Sequence, residues 1–294
     1  MLPGFTEFDY DVNGVTIHGA IGGKGEPILL LHGYPQTHAM WLKIAPILEE
    51  NFTVIATDLR GYGDSSKPPS LPDHSTYSKR AMAADQVGVM AKLGYDRFYL
   101  MGHDRGARVA HRLAKDYPTR VKKLILLDIA PTLIMYENLA QDFATAYYHW
   151  LFLIQPFPFP ETLIGADPVY FLRDCLGRWS RNRNAFSDMA MAEYERCFSN
   201  LETIRATCED YRASATIDLQ HDRQDRAIKI SCPLLVLWGK WGVLSRHFDM
   251  SSVWDEQGLK VQGKALDCGH FLPEEAPEDV FMEVKKFNDG LTIN

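Results

Sequence analysis

Five short apolar runs set the rhythm of the chain: Pro27 to Leu31, Phe52 to Ala56, Arg97 to Met101, Lys123 to Leu127 and Pro233 to Trp238. None alternates with polar residues, as expected of strands buried on both faces of a parallel sheet. Helix-compatible stretches lie between them, for example Ser78 to Leu93 and Arg105 to Lys115. Strand and helix in alternation predict an α/β fold with a doubly wound, mostly parallel sheet flanked by helices. Ahead of the first run, Phe8 to His18 alternates around Asn13-Gly14, a dipeptide suited to a two-residue turn with positive φ, and predicts a β-hairpin. At the other end, Pro277 to Phe287 predicts an amphipathic terminal helix with Gly290 as its stop.

The rhythm breaks once. From Ala130 to Ile228 no buried-strand pattern occurs, and aromatic-rich, helix-compatible segments are divided by Pro156, Pro158, Pro160 and Pro168. About 100 residues inserted between two strands predict a helical cap domain (130–228) set into a core domain formed by 1–129 and 229–294.

The sharpest chemical feature is the run Met101-Gly102-His103-Asp104-Arg105-Gly106-Ala107-Arg108, where a buried strand passes through Gly-x-Asp-x-Gly into a helix. This is the layout of a nucleophile elbow with Asp in the place where lipases carry Ser. The turn is tight and lifts the central side chain above the sheet, and the helix start offers N–H donors to a developing oxyanion. A carboxylate nucleophile displaces a leaving group at an sp³ carbon and forms an ester, so water must then be activated by a base. Asp267-Cys268-Gly269-His270-Phe271 follows a strand-like run and places His270 for that task. The base needs an acid to hold its tautomer. Lys240-Trp241-Gly242-Val243, after the last apolar run, contains no carboxylate, which leaves Asp128 at the end of Leu124 to Leu127. The Tyr34 N–H, in Leu31-His32-Gly33-Tyr34-Pro35, joins that of Arg105 as the expected oxyanion hole. Asp58 to Ser65 reads as a structural loop, because its glycines are what turns require.

Charge sharpens the picture. With 31 Lys and Arg against 38 Asp and Glu, the formal net charge is −7. That disfavours nucleic-acid and anionic-membrane partners, which want basic surfaces. An anionic substrate then requires a local cationic cluster, and Arg105 and Arg108, one helical turn apart beside Asp104, supply one. In the insertion, Tyr147-Tyr148-His149-Trp150 and Asp210-Tyr211-Arg212 bring together ring donors, a pattern that by itself reads first as aromatic packing.

Together Gly102 to Arg108, Asp128, His149-Trp150, Tyr211 and His270 resemble the fluoroacetate (haloacetate) dehalogenases of the α/β-hydrolase superfamily, from His32 to the terminal helix. The resemblance implies an α/β-hydrolase fold and hydrolysis of a 2-haloacid, with fluoroacetate giving glycolate and fluoride. It implies Asp104 as nucleophile, His270 with Asp128 as the water-activating pair, Arg105 and Arg108 on the substrate carboxylate, and His149, Trp150 and Tyr211 on the halide. It further implies a homodimer. One departure is small: the oxyanion segment reads His-Gly-Tyr-Pro where Phe is also familiar, and the role uses only backbone. The reaction needs no metal or organic cofactor. Five cysteines without a CxxC pair argue against zinc and for reduced thiols in a cytoplasmic protein. No signal peptide or membrane span is expected from the sequence. Two other functions share these features: an epoxide hydrolase, which needs paired cap tyrosines over Asp104 and has no use for the two arginines, and a non-catalytic receptor for small acids, which need not keep an intact triad.

Overall fold

The computed structural model describes residues 2–290. Eight strands form one sheet: β1 (Thr6–Val12), β2 (Val15–Gly23), β3 (Glu26–Leu31), β4 (Phe52–Thr57), β5 (Phe98–His103), β6 (Val121–Leu127), β7 (Leu234–Gly239) and β8 (Val261–Leu266). Their order is β1-β2-β4-β3-β5-β6-β7-β8. The predicted hairpin is β1–β2, turned by Asn13 and Gly14 at φ 50° and 80°. β2 joins β4 antiparallel, and from β4 to β8 every pairing is parallel. The apolar runs read from the sequence are the central strands, and Ile28 to Leu31 are fully buried. β8 is the sheet edge, where Gln262 and Lys264 are only half-buried, which is why its pattern is weaker.

β5 extends two residues beyond its apolar run, to Gly102 and His103, and the helix Asp104–Asp116 begins at once. That junction is closely packed. A Cβ on Gly102 would lie 2.6 Å from the Gly106 carbonyl oxygen, and one on Gly106 would lie 2.3 Å from the carbonyl oxygens of both Leu31 and His32. The helix start therefore rests directly on the end of β3, and only glycine fits at either place. The helix Lys79–Lys92 is capped by the Ser78 hydroxyl, which accepts from Ala81 N.

Between β6 and β7 the described residues form helices and no strand of the sheet, from Thr132–Glu137 to Ile217–Gln224. The prolines noted in the sequence mark helix starts: Pro160 lies in the first turn of Phe159–Ala166, and Pro168 is the first residue of Pro168–Trp179. The terminal helix runs Pro277–Asn288. The Asp58–Ser65 loop is built around Asp58, which accepts from His38 N, His38 Nδ1 and Asp64 N, while Ser65 Oγ donates to the Asp58 carbonyl. Among the described residues no helix is long and apolar enough to cross a membrane, and the five cysteines are free and buried.

Candidate active site

Asp104 stands on the elbow at φ 46°, a left-handed conformation that costs a residue with a Cβ about 1–3 kcal/mol. The surrounding packing imposes it, and its effect is to aim the carboxylate away from the sheet. Burial pushes the Asp104 carboxyl up, but His270, His103, Arg105 and Arg108 outweigh it and hold the pKa at about 2, so the group is ionised. Tyr34 N donates to Oδ1 at 2.9 Å. Among the described residues the Arg105 N–H makes no such bond, so of the two expected oxyanion donors only Tyr34 already touches the carboxylate.

His270 Nδ1–H donates to Asp128 Oδ2 at 2.6 Å, and Nε2 lies 3.8 Å from Asp104 Oδ2. The carboxylate fixes the tautomer, leaving the Nε2 lone pair on the Asp104 side. Asp128, at φ 50° just past β6, takes its second hydrogen bond from Gly239 N at 2.9 Å. The neighbouring strand end, which lacks an acid of its own, thus orients the acid from β6. Burial pushes the His270 pKa down, but the bond and charge of Asp128, with Asp104 and Glu275, lift it above the ordinary histidine value. His103 Nε2–H donates to the His270 carbonyl at 2.7 Å. Burial and the neighbouring His270 lower its pKa to about 3, so it is neutral.

The two arginines are not equivalent. Arg105 is fully buried and held by Asp210: Nε and Nη2 donate to its carboxylate at 2.9 and 2.8 Å, and Nη2 also reaches the Asp210 carbonyl and Ser214 Oγ. Lys79 and Tyr62 bind the same carboxylate. Arg108 is bound only by neutral groups, donating through Nη1 to Ala130 O and Thr132 Oγ1 at 2.9 Å and through Nη2 to Met135 Sδ. Burial and Arg105 lower its pKa to about 10, and it stays charged. Each arginine keeps one buried nitrogen without a partner, Nη1 of Arg105 and Nε of Arg108. The positive charge not already matched by a bonded carboxylate is therefore that of Arg108.

Above them the insertion supplies rings. The Arg105 guanidinium lies 4.1 Å from the Tyr211 ring centroid and that of Arg108 4.5 Å from Trp150. His149 and Tyr211 are 5.7 Å apart between ring centroids, and Trp150 and Tyr211 6.0 Å. His149 Nδ1 and Tyr211 Oη are buried without hydrogen-bond partners. Burial lowers the His149 pKa to about 3 and raises that of Tyr211, so both are neutral. The structure thus gathers every residue singled out in the sequence into one region: Asp104, Asp128, His270, Arg105, Arg108, His149, Trp150, Tyr211 and Tyr34. It adds three groups that sequence reasoning missed. The Tyr34 hydroxyl is buried and unpartnered, with its ring 5.3 Å from that of Tyr211. The Trp179 ring lies 4.3 Å from that of His149, tilted by 39°, and edge-on to His270 at 5.9 Å. Asp210 anchors Arg105. Tyr34 lies in the oxyanion segment, where the sequence assigns a role to its backbone alone, and Asp210 appears only as the neighbour of Tyr211.

His18, His38 and Asp58 also cluster, with donor atoms within 4.8 Å of one another. His18 Nδ1 bonds Asp9 at 3.0 Å and His38 Nδ1 bonds Asp58 at 2.9 Å, while His38 Nε2 is buried without a partner.

An elbow carboxylate at the end of a central strand, with a hydrogen-bonded His–Asp pair beyond the ends of later ones, is the layout of an α/β hydrolase. A profile of the alpha/beta hydrolase fold matches residues 26–277, and the chain belongs to that family. It is similar to a fluoroacetate dehalogenase from Burkholderia sp, at 43% identity over 98% of this chain and 95% of that protein. It is also similar to a soluble epoxide hydrolase from Corynebacterium sp. (strain C12), at 36% identity over 94% of each. A solved structure from Nostoc sp PCC 7120, provisionally assigned as an alpha/beta hydrolase, superposes with a TM-score of 0.96 at 61% identity, over 98% of this chain and 99% of that one.

Proposed function

We propose that this protein hydrolyses the carbon–halogen bond of a small 2-haloacid, with fluoroacetate, giving glycolate and fluoride, as the first candidate. The observation that carries the reading is a buried, ionised elbow carboxylate, Asp104, with the His270–Asp128 pair beside it and, acting on it by its charge, the Arg108 guanidinium, free of any bonded carboxylate. A cation held in the interior by neutral partners is costly unless a ligand anion completes it. Arg108 and the spare nitrogen of Arg105 would take the substrate carboxylate. One Asp104 oxygen attacks the halogen-bearing carbon, and the bonding pair leaves with the halide, received by His149, Trp150 and Tyr211. Water then adds to the Asp104 ester carbonyl, giving its proton to His270 Nε2 while Tyr34 N–H steadies the oxyanion. Collapse releases the hydroxyacid and regenerates the carboxylate, with one proton passing to solvent. No cofactor enters. In this reading residues 130–228 act as a cap over a core of 1–129 and 229–294, and the working unit is a homodimer in the cytoplasm.

A second reading, epoxide hydrolysis, is favoured by the Corynebacterium relative and by the free Tyr211 hydroxyl. Against it, His149 faces Tyr211, and the two buried arginines have no part in epoxide opening. A receptor role gives no reason for an oriented His–Asp pair.

A single-turnover reaction in ¹⁸O-water with fluoroacetate, followed by peptide mass spectrometry, tests the mechanism: label is expected in the Asp104 peptide. Fluoride release without that label would sink the ester. No halide from any haloacid, with diol from epoxides, would hand the site to the second reading.

A further inference from the structure

The loop that carries His270 is bound to the helical insertion by its backbone, through one side chain five residues downstream. Glu275 Oε2 accepts from Gly269 N at 3.0 Å, Arg181 N at 2.9 Å and Asn182 N at 3.1 Å, and Oε1 accepts from Phe271 N at 3.0 Å. Between the two loop donors, His270 N itself donates to the Trp179 carbonyl at 3.0 Å. The three consecutive N–H groups around the base are thus all fixed, two by Glu275 and one by the insertion. The seam is tight, since a Cβ on Gly269 would lie 2.5 Å from Arg181 N and 2.8 Å from the Trp179 carbonyl oxygen. Only a carboxylate satisfies this arrangement. A glutamine offers one acceptor oxygen and turns its own NH₂ donor against N–H groups. Glu275 makes no hydrogen bond to Asp104, Arg105, Arg108, His149, Trp150 or Tyr211.

We propose that Glu275 is a positioning residue for His270, which makes alignment of the base conditional on the Trp179–Asn182 turn of the insertion being seated. The inference rests on the reading in which Asp104 forms an ester that His270-activated water cleaves. It assigns Glu275 to the second half of that reaction only. Displacement of halide uses Asp104, the arginines and the ring donors, none of which Glu275 holds. Ester cleavage uses His270, whose loop it fixes. Loosening the 179–182 segment alone then slows hydrolysis while Asp104, the arginines and the ring donors keep their places, so the base is aligned only when that segment is seated.

Rapid-quench kinetics on Glu275→Gln and Glu275→Ala, with chloroacetate and fluoroacetate, test this. The expected result is a burst of about one halide per chain at near wild-type rate, then turnover slowed at least about tenfold, with intact-protein mass showing the carboxymethyl ester. Equal slowing of burst and turnover, or turnover unchanged, overturns the proposal. Hydrogen exchange without substrate gives a second measure: residues 269–272 and 180–182 should exchange faster together in Glu275→Gln, with other segments unchanged. Independent or unchanged exchange also overturns it. Glu275→Gln keeps one acceptor oxygen and carries the test if Glu275→Ala fails to fold. If the wild-type protein releases no halide from any haloacid, the dehalogenase reading has failed, and the exchange experiment still decides whether Glu275 couples the two segments.

Discussion

Arg105 and Asp210 share two guanidinium–carboxylate hydrogen bonds, at 2.9 and 2.8 Å, and both side chains are completely buried. Arg108, three residues along the same helix face, has no carboxylate bonded to it. The two arginines that look alike in sequence therefore differ in their partners, one matched by a buried carboxylate and one by neutral groups alone.

Arg105→Leu leaves Asp210 buried with only Lys79 and Tyr62, and breaking such a pair typically costs about 3–5 kcal/mol. Arg108→Leu frees only a carbonyl, a hydroxyl and a thioether, so its stability loss should be smaller. Its effect should fall on substrate: a bond to a charged group is worth about 1.5–3 kcal/mol, so kcat/KM for a haloacid should drop by about ten- to 160-fold. Thermal unfolding and steady-state kinetics on the two variants separate the roles. Equal loss of stability, or unchanged kinetics in Arg108→Leu, contradicts the assignment.

His270 should titrate above the ordinary histidine pKa of about 6.5 in the substrate-free protein. A base must be neutral, so activity rises as pH climbs through that value and fails below it. Asp128→Asn removes the bond and the charge that lift the pKa but leaves the burial that lowers it. Its imidazole should titrate below the wild-type value, and turnover should fall at least about a hundredfold. NMR titration of the imidazole signals checks the first point, and an unshifted midpoint counts against it.

Burial pushes the Glu274 carboxyl up to about 8, despite hydrogen bonds from Gln36 Nε2 and Tyr194 Oη that favour the charged form. Between about pH 4.5 and 8 the folded protein therefore holds a proton that the unfolded chain has released. Stability contributed by this group is present at the acid end and declines as pH rises through 8. Glu274→Gln imitates the protonated form, so its melting temperature should gain on the wild type by a few degrees between pH 5 and 8. A constant offset across that range would show that Glu274 does not titrate there.

Gly106→Ala would drive a methyl into the carbonyl oxygens of Leu31 and His32, each 2.3 Å from its carbon. Backbone cannot yield as a side chain does, so a loss of about 1–3 kcal/mol or more is expected. Activity should fall beyond what unfolding explains, because the elbow shifts with the helix start. Denaturant unfolding together with kinetics at a temperature where the variant is folded checks both.

What the sequence made legible follows from locality. The central strands are unbroken apolar runs, and Asp104, Asp128, His270 and Tyr34 each sit at a strand end where the turn chemistry is short-range. Helical spacing puts Arg105 and Arg108 on one face beside Asp104, but their inequivalence is hidden in the sequence. It depends on Asp210, 105 residues away and marked in sequence only as a neighbour of Tyr211. Glu275 was missed for a different reason. Its partners are backbone N–H groups, which carry no residue identity, and two of them lie more than 90 residues upstream. Trp179 likewise acts through its carbonyl and through ring packing, neither of which a pattern of residue types reveals.

Asp210 and Tyr211 are consecutive on the helix Leu201–Ala215, the first clamped to Arg105 and the second stacked on it with a free hydroxyl. A designer widening this site for bulkier acids cannot slide or rotate that helix to make room, since any such movement uncouples a buried ion pair before it yields an ångström of space. Room for change lies instead in the rings of Tyr34 and Trp179, whose side chains pack in the same region without taking part in an ion pair.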